Sequence, residues 1–217
     1  MKIGLLKNCL KLKRKEINYD CTRCTIPHQV CLGYCYHRSW RICSRNEVMK
    51  LTLDVENNSI ERDGKLHLDP FEPENSLVQV GVLTDTGVCQ TFPFDHKDHL
   101  SGHDYHERVQ MFLDDATVLI CHNAAHDLLW LWESGFKYDG PVFDTMLVEY
   151  ILQRGQKEPL SLEACAERHE LDTKKQDTLK EYFKKGYKTS EIPLDELTEY
   201  LVADLEATQQ LADLQYA

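Results

Sequence analysis

In this chain strand-like segments come before helix-like segments, and that order constrains the fold most. Residues 50–56 alternate apolar and polar side chains, which is typical of a strand with one buried face. Residues 77–84 and 88–94 also have strand character, Asp85-Thr86-Gly87 predicts a turn between them, and we expect hairpins to join these first three strands. Further strands are predicted at 117–121 and just before Asp144, with helices near 105–113, 125–134, 145–153, 160–169, 178–184 and 194–214. This order predicts an α/β protein in which helices cover a mixed sheet.

The first predicted strand carries two acidic residues on one face. Asp54 and Glu56 are two residues apart, so their side chains point to the same side, opposite to Leu51, Leu53 and Val55. Two neighbouring carboxylates repel each other, and the pKa of each rises unless a positive charge lies between them. A divalent cation is the simplest source of that charge.

Two further motifs add acidic residues at helical spacing. Asn123 and Asp127 are four apart, follow the apolar run 117–121, and are expected to share one face of the first helical turns. Tyr200 and Asp204 are also four apart, in a helical segment whose leucines are Leu194, Leu197, Leu201, Leu205, Leu211 and Leu214. With Asp54 and Glu56, the two aspartates form an oxygen-only donor set that suits Mg²⁺ or Mn²⁺ and not zinc.

Taken in order, these three motifs resemble those of the DEDD exonucleases. Tyr200 places the resemblance in the tyrosine subclass, because Glu199 stands where the sister subclass has histidine. Residues 142–152 and 160–168 are similar to the proofreading domain of family A (Pol I-like) DNA polymerases. The resemblance extends from about Met49 to the C-terminus, and a separate exonuclease chain of this kind is expected of a phage replication gene.

The resemblance implies a ribonuclease H-like (DnaQ-like) fold and a two-metal exonuclease. The implied reaction hydrolyses the terminal phosphodiester at a 3′ end and releases nucleoside 5′-monophosphates, with two Mg²⁺ or Mn²⁺ ions at the scissile phosphate. By similarity, Asp54 would bridge both ions. Glu56 and Asp204 would complete one ion site, and Asp127 would serve the other through its waters. Tyr200 would orient the attacking water.

Candidate substrate contacts lie beside the acidic motifs. By similarity, Asn123 would hold the sugar-phosphate of the terminal nucleotide. His126 stands where the polymerase family usually has an aromatic residue, so packing or a substrate contact is expected. Asp144, directly before a predicted helix, is expected to be a cap and not a ligand. A basic patch before the third motif contains Lys174, Lys175, Lys180, Lys184, Lys185 and Lys188, and its alternative explanation is a solvated helix face.

Charge divides the chain near residue 48. The protein has 217 residues and a net charge of −11. Residues 1–48 hold ten Lys and Arg against three acids, a net +7, which leaves −18 for residues 49–217. We therefore predict an exonuclease domain at 49–217 and a separate basic, cysteine-rich segment at 1–48.

The N-terminal segment has three interpretations. Cys21, Cys24, Cys31 and Cys35, with two histidines among them, have pair spacings compatible with a zinc site, but the pairs lie closer together than in usual zinc modules. Alternatively, residues 1–48 are an upstream extension from a mis-assigned start codon, with Met49 as the functional start, or a disordered tail.

The expected partner is the 3′ end of single-stranded DNA. Only thirteen residues follow Asp204, so a stand-alone exonuclease or a proofreading subunit of a split polymerase is expected. An RNase D-like RNA exonuclease is the enzyme alternative, and an inactive nucleic-acid-binding or polymerase-docking protein is the non-enzyme alternative. No apolar run reaches the ~20 residues that span a bilayer, so no membrane contact is expected and a cytoplasmic location (host cytoplasm for a phage gene) follows.

Overall fold

The computed structural model describes residues 49–99, 105–171 and 178–216. These residues belong to one compact unit, Val48–Ala217. The predictions for residues 1–48, including the possible zinc ligands Cys21, Cys24, Cys31 and Cys35, lie outside the described residues, as do those for Lys174 and Lys175.

Strands and helices follow the predicted order. The strands are β1 (Lys50–Asn58), β2 (Ile60–Arg62), β3 (Lys65–His67), β4 (Ser76–Thr84), β5 (Cys89–Pro93), β6 (Val118–Cys121) and β7 (Val142–Asp144). The α-helices are α1 (His106–Asp115), α2 (Ala124–Glu133), α3 (Thr145–Leu152), α4 (Leu162–Arg168), α5 (Thr178–Lys184) and α6 (Leu194–Tyr216), and a short 3-10 helix spans Thr189–Glu191. The ends of the predicted elements agree with these bounds to within about two residues.

Five of the strands form a mixed sheet in the order β5-β4-β1-β6-β7. β1 pairs antiparallel with β4 and β4 with β5, whereas β1 pairs parallel with β6 and β6 with β7. The mixed, helix-covered α/β sheet that the sequence predicts is therefore present. β1 lies at its centre, between β4 and β6, and its side chains point alternately to the two faces of the sheet.

The link between β1 and β4 differs from the prediction. The expected hairpin between β4 and β5 is present, with Gly87 in the left-handed region at φ +83°. β1 and β4, however, are joined by residues 59–75, which form their own two-stranded sheet from β2 and β3. These short strands are mostly exposed and carry little apolar periodicity, which explains why the sequence pattern does not reveal them.

Both faces of the sheet are covered. On one face, Leu51, Leu53 and Val55 lie in a core that also contains buried residues of α1 and α2. On the other face, Thr52 is buried and donates a hydrogen bond to Gln209 of α6. α6 lies across β1 and β4, so the face that carries Asp54 and Glu56 is covered by a helix over part of its length.

Close packing of α6 on the sheet depends on a glycine in β4. A β-carbon at Gly81 would lie 2.8 Å from both Leu201 Cγ and Leu205 Cδ1, which is closer than side chains tolerate. Glycine therefore lets the α6 backbone approach the sheet and bring its acidic residue near β1. Among the residues that the structure describes, no helix is long and apolar enough to span a membrane.

Candidate active site

Three elements bring the predicted acidic residues to one region. Asp54 and Glu56 lie on β1, the central strand. Asp127 lies in the first turn of α2, which begins directly after β6, the parallel neighbour of β1. Asp204 lies on α6, which packs on β1 from one face. The sheet order thus places four carboxylates, separated along the sequence, around the C-terminal half of β1.

These carboxylates influence one another electrostatically. Burial raises the pKa of Asp54 to about 8, and repulsion from Asp204 adds to the rise. Burial also raises the pKa of Glu56 well above its ordinary value, with repulsion from Asp54 and Asp204 as further causes. Such mutual repulsion requires short separations, because charges far apart are screened.

The pKa values of the remaining two carboxylates are raised as well. Burial raises the pKa of Asp127 well above its ordinary value, with Asp54 as the next contributor. Burial raises the pKa of Asp204 to about 6, a hydrogen bond from Tyr200 opposes part of that rise, and repulsion from Glu163 adds to it. In all four groups protonation is therefore favoured more than in a free carboxyl, and a bound cation would offset the charge of the ionised forms.

Tyr200 stands beside the acidic group as a neutral phenol. Burial raises its pKa above the ordinary value, and the negative charges of Asp204 and Glu56 raise it further. Its ring packs against a small core cluster that includes Ile192 and Leu197. The hydroxyl therefore keeps its proton and can donate a hydrogen bond.

The donor chemistry fits a hard divalent cation. Asp127 Oδ2 is buried and accepts no hydrogen bond from any residue in the described part of the chain. A buried carboxylate oxygen without a donor is costly, and a cation would satisfy it. Carboxylate oxygens suit Mg²⁺ or Mn²⁺. Within residues 49–99, 105–171 and 178–216, however, no three His, Cys, Asp or Glu side chains stand close enough to hold an ion as they lie.

Asn123 has a different backbone geometry from the prediction. It is the N-cap of α2 in the left-handed region (φ 75°), with an exposed side chain that makes no capping hydrogen bond. The expectation that Asn123 and Asp127 share a face within the first helical turns is therefore wrong, because Asn123 precedes the helix.

At the start of α2 the backbone N–H groups donate to the carboxylate of Asp144 and not to the side chain of Asn123. As predicted, it caps α3, where it accepts hydrogen bonds from the backbone N–H groups of Met146 and Leu147. It also accepts from the N–H groups of Asn123 (3.1 Å) and Ala124 (3.0 Å). One carboxylate thus joins the starts of two helices at neighbouring strand ends. The sequence identified only the first role.

His126 is held by a residue that the sequence analysis did not identify. Asn57 Nδ2 donates to Ser59 Oγ (2.8 Å), so Asn57 Oδ1 is the acceptor for His126 Nε2 at 3.0 Å. The imidazole edge also lies against Trp130. Burial lowers the pKa of His126. Asn57 directly follows Glu56 at a bulge in β1, and this position beside an acidic motif was the only available signal.

A family model for the 3′-5′ exonuclease matches residues 77–214 of this chain. The matched range contains Asp127, Tyr200 and Asp204 and begins after β1, so the Asp54 and Glu56 strand lies outside it. A sequence comparison with curated proteins gives no match.

Solved structures share the fold. Brucella melitensis NrnC is similar with a TM-score of 0.57 at 18% identity, over 78% of this chain and 73% of that chain. The same protein bound to pGG has a TM-score of 0.54 at 18% identity (78% and 72% covered), and with bound Mg²⁺ 0.52 at 19% identity (78% and 73% covered). At such low identity these similarities concern the fold, which is the ribonuclease H-like arrangement expected from the sequence.

The family match covers more than half of the chain, so the protein belongs to the 3′-5′ exonuclease family, hydrolases that cleave phosphodiester bonds of nucleic acids.

Proposed function

We propose that this protein is a metal-dependent exonuclease that removes nucleotides from the 3′ end of single-stranded DNA and releases nucleoside 5′-monophosphates. The observation that carries the proposal is the group of four mutually repelling carboxylates, in which a buried oxygen of Asp127 lacks a hydrogen-bond donor. Within an exonuclease domain, such a group is suited to binding cations at a scissile phosphate.

Asp54, Glu56, Asp127 and Asp204 would hold the cations. When bound, two Mg²⁺ or Mn²⁺ ions would supply electrostatic stabilisation of the reacting phosphate and activation of the attacking water. The fold neighbour recorded with bound Mg²⁺ supports this choice of metal. The side chains would need to approach one another on cation binding, since no three of them are closely grouped in the part of the chain that is described.

Tyr200 would orient the attacking water and would not act as a general base. A base must accept a proton, but burial and the nearby charges keep the pKa of Tyr200 above its ordinary value. The protonated hydroxyl can donate one hydrogen bond and accept another. We therefore assign it to positioning, together with its partner Asp204.

Two further side chains would contact the substrate. The exposed amide of Asn123, at the left-handed start of α2, is available for the sugar-phosphate of the terminal nucleotide. His126, held by Asn57, offers its other ring nitrogen to the same nucleotide. Lys174, Lys175 and the other lysines of the basic patch would contact phosphates of the substrate and offset the acidic charge of the domain.

The biological role that fits is proofreading in DNA replication, as a stand-alone protein or as the subunit of a split polymerase, in the cytoplasm. In this proposal residues 49–217 are the exonuclease domain and residues 1–48 a separate segment in which zinc binding stays a prediction.

A second candidate is an exonuclease for RNA or short oligonucleotides. The observation that favours it is that NrnC, which shares the fold, is recorded bound to pGG. At 18% identity the pockets need not be alike, so substrate choice requires direct measurement.

One assay separates these candidates. The full-length protein is incubated with 5′-labelled single-stranded DNA, with RNA of the same sequence and with a dinucleotide, in Mg²⁺, Mn²⁺ or EDTA. We expect shortening of the labelled DNA in one-nucleotide steps, only with a divalent cation, since removal from the 3′ end leaves the label in place. Faster degradation of RNA or of the dinucleotide would favour the second candidate.

The matched variant is Asp54→Ala, which should abolish the activity and leave the circular dichroism spectrum unchanged. Retained activity in that variant, or activity in EDTA, would refute the proposed site. No activity of the wild-type protein on any of the substrates would favour the inactive binding protein.

A further inference from the structure

α3 (Thr145–Leu152) has its polar side buried and its apolar side exposed. Thr145 and Glu149 are buried on the inner face, and Glu149 is only 2% exposed. On the outer face, Leu147, Tyr150 and Ile151 are 55%, 62% and 63% exposed. Helices of globular proteins normally bury their apolar stripe. The reversed helix therefore leaves its apolar side open to solvent.

Hydrogen bonds to Glu149 fix this reversed orientation. Its carboxylate accepts from Arg168 Nη1 (2.9 Å), His169 Nε2 (2.7 Å) and Gln215 Nε2 (2.9 Å), so α3 is tied to α4 and α6. Turning the helix to bury its apolar side would break all three hydrogen bonds to the Glu149 carboxylate. The outward position of the apolar residues is consequently a stable property of the fold.

The outward residues form a continuous apolar surface, here called the α3 stripe: Leu147, Tyr150 and Ile151. They are spaced i, i+3 and i+4, so they lie on one side of the helix. Leu152, 57% exposed, lies at its end. At these exposed fractions the four residues present roughly 500 Å² of surface, within the ~300–600 Å² typical of the largest apolar patch on a monomer, which is often functional.

We infer that the α3 stripe is the contact between two copies of this chain. In a twofold-symmetric pair the same stripe occurs on both sides, and two stripes would together bury roughly 1,000 Å², near the lower limit for a specific interface. Residues 49–217 carry a net charge of −18, so most approaches of two copies are opposed by repulsion. Within α3, all of which is described, the only charged residue is the buried, hydrogen-bonded Glu149. This face therefore lets two acidic bodies meet without opposing like charges across the helices.

Sedimentation of the full-length protein tests the inference. We expect a monomer–dimer equilibrium in which the dimer fraction rises between roughly 1 and roughly 100 μM, as mass action requires of a reversible dimer. Leu147→Glu with Ile151→Glu places charges on both sides of the contact and should weaken dimerisation at least ~30-fold, as expected for central interface residues. Tyr150→Lys, also at an exposed position, provides a second stripe variant.

The matched control is Leu66→Glu, which changes a leucine of similar exposure (66%) on β3. It should dimerise like the wild-type protein, and at concentrations where the wild-type protein is monomeric all variants should keep the wild-type melting temperature and exonuclease activity per chain. A wild-type protein that stays monomeric up to 100 μM would overturn the inference. So would a dimer that both stripe variants leave intact, because another surface would then form the contact.

Discussion

The individual carboxylates at the site differ in the hydrogen-bond donors that they have. Asp204 has a hydrogen bond from Tyr200, and Asp144 has four backbone donors. Asp127 instead has one buried oxygen without a donor from any described residue. At this scale the acids whose pKa values are raised by burial are the candidate ligands, whereas Asp144, which has four backbone donors, is structural.

Asp204→Asn should separate activity from stability. It removes a negative charge that raises the pKa values of Asp54 and Glu56, so the metal-free protein should melt at a higher temperature than the wild type. If Asp204 is a ligand, the exonuclease rate should fall by about 10³-fold or more. Rate assays and thermal unfolding in EDTA would measure the two effects. The control Glu206→Gln changes an exposed acid of the same helix and should alter neither. Loss of both activity and stability in Asp204→Asn would contradict a ligand role.

Elements of the fold meet at the ends of parallel strands. β6 and β7 are parallel neighbours, so the starts of α2 and α3 lie side by side, and Asp144 serves both. α6 crosses from the other face and supplies Tyr200 and Asp204. The position of the site thus depends on how two helix starts and one long helix are fixed to the sheet.

Asp144→Ala should loosen this junction. Four backbone N–H groups would lose their acceptor, and since one lost helix cap costs ~0.5–2 kcal/mol, the free energy of unfolding should fall by about 1–4 kcal/mol. Urea unfolding would measure the change. Asp139→Ala, which alters an exposed acid shortly before β7, should have an effect below about 0.5 kcal/mol. Equal stability of the two variants would argue against the shared cap.

At the scale of the whole molecule, the acidic residues determine how folding stability depends on pH. The domain is strongly acidic, and it gathers four of its acids around β1. In the absence of cations these groups bind more protons in the folded state than in the unfolded state, because folding raises their pKa values. Folding stability should therefore fall as the pH rises from their ordinary values near 4 through the raised value of about 8 for Asp54.

Thermal unfolding in EDTA should show this loss most clearly from about pH 7 to about pH 8. Below their ordinary pKa of 6.5, His122 and His126 act in the opposite direction, because burial lowers their pKa values. Mg²⁺ or Mn²⁺ should raise the melting temperature, and more at pH 8 than at pH 6, since cations bind the ionised carboxylates. The double variant Asp54→Asn with Asp204→Asn should lose most of the cation effect and the part of the pH dependence that Asp54 and Asp204 contribute, while buried Glu56 and Asp127 keep the rest. A cation effect that persists in it would place the ions elsewhere.

Local patterns account for much of the fold and for the choice of site residues. The alternation in residues 50–56 predicted β1, and the leucine spacing predicted α6, because side-chain periodicity follows from backbone geometry alone. The acidic motifs identified Asp54, Glu56, Asp127 and Asp204 before any tertiary contact was known, and the structure brings these four to one region. Their roles as ligands stay predictions.

The sequence by itself determined the order of strands and helices and the acids that could share a cation. The tertiary structure alone decided which face of α3 is buried, since periodicity shows which residues share a face but not which face turns inward. The partners that hold Glu149 lie 19, 20 and 66 residues away along the chain. Asn57 likewise meets His126 across 69 residues. Such hydrogen bonds depend on how distant segments of the chain pack, so the spacing of neighbouring residues in the sequence does not predict them.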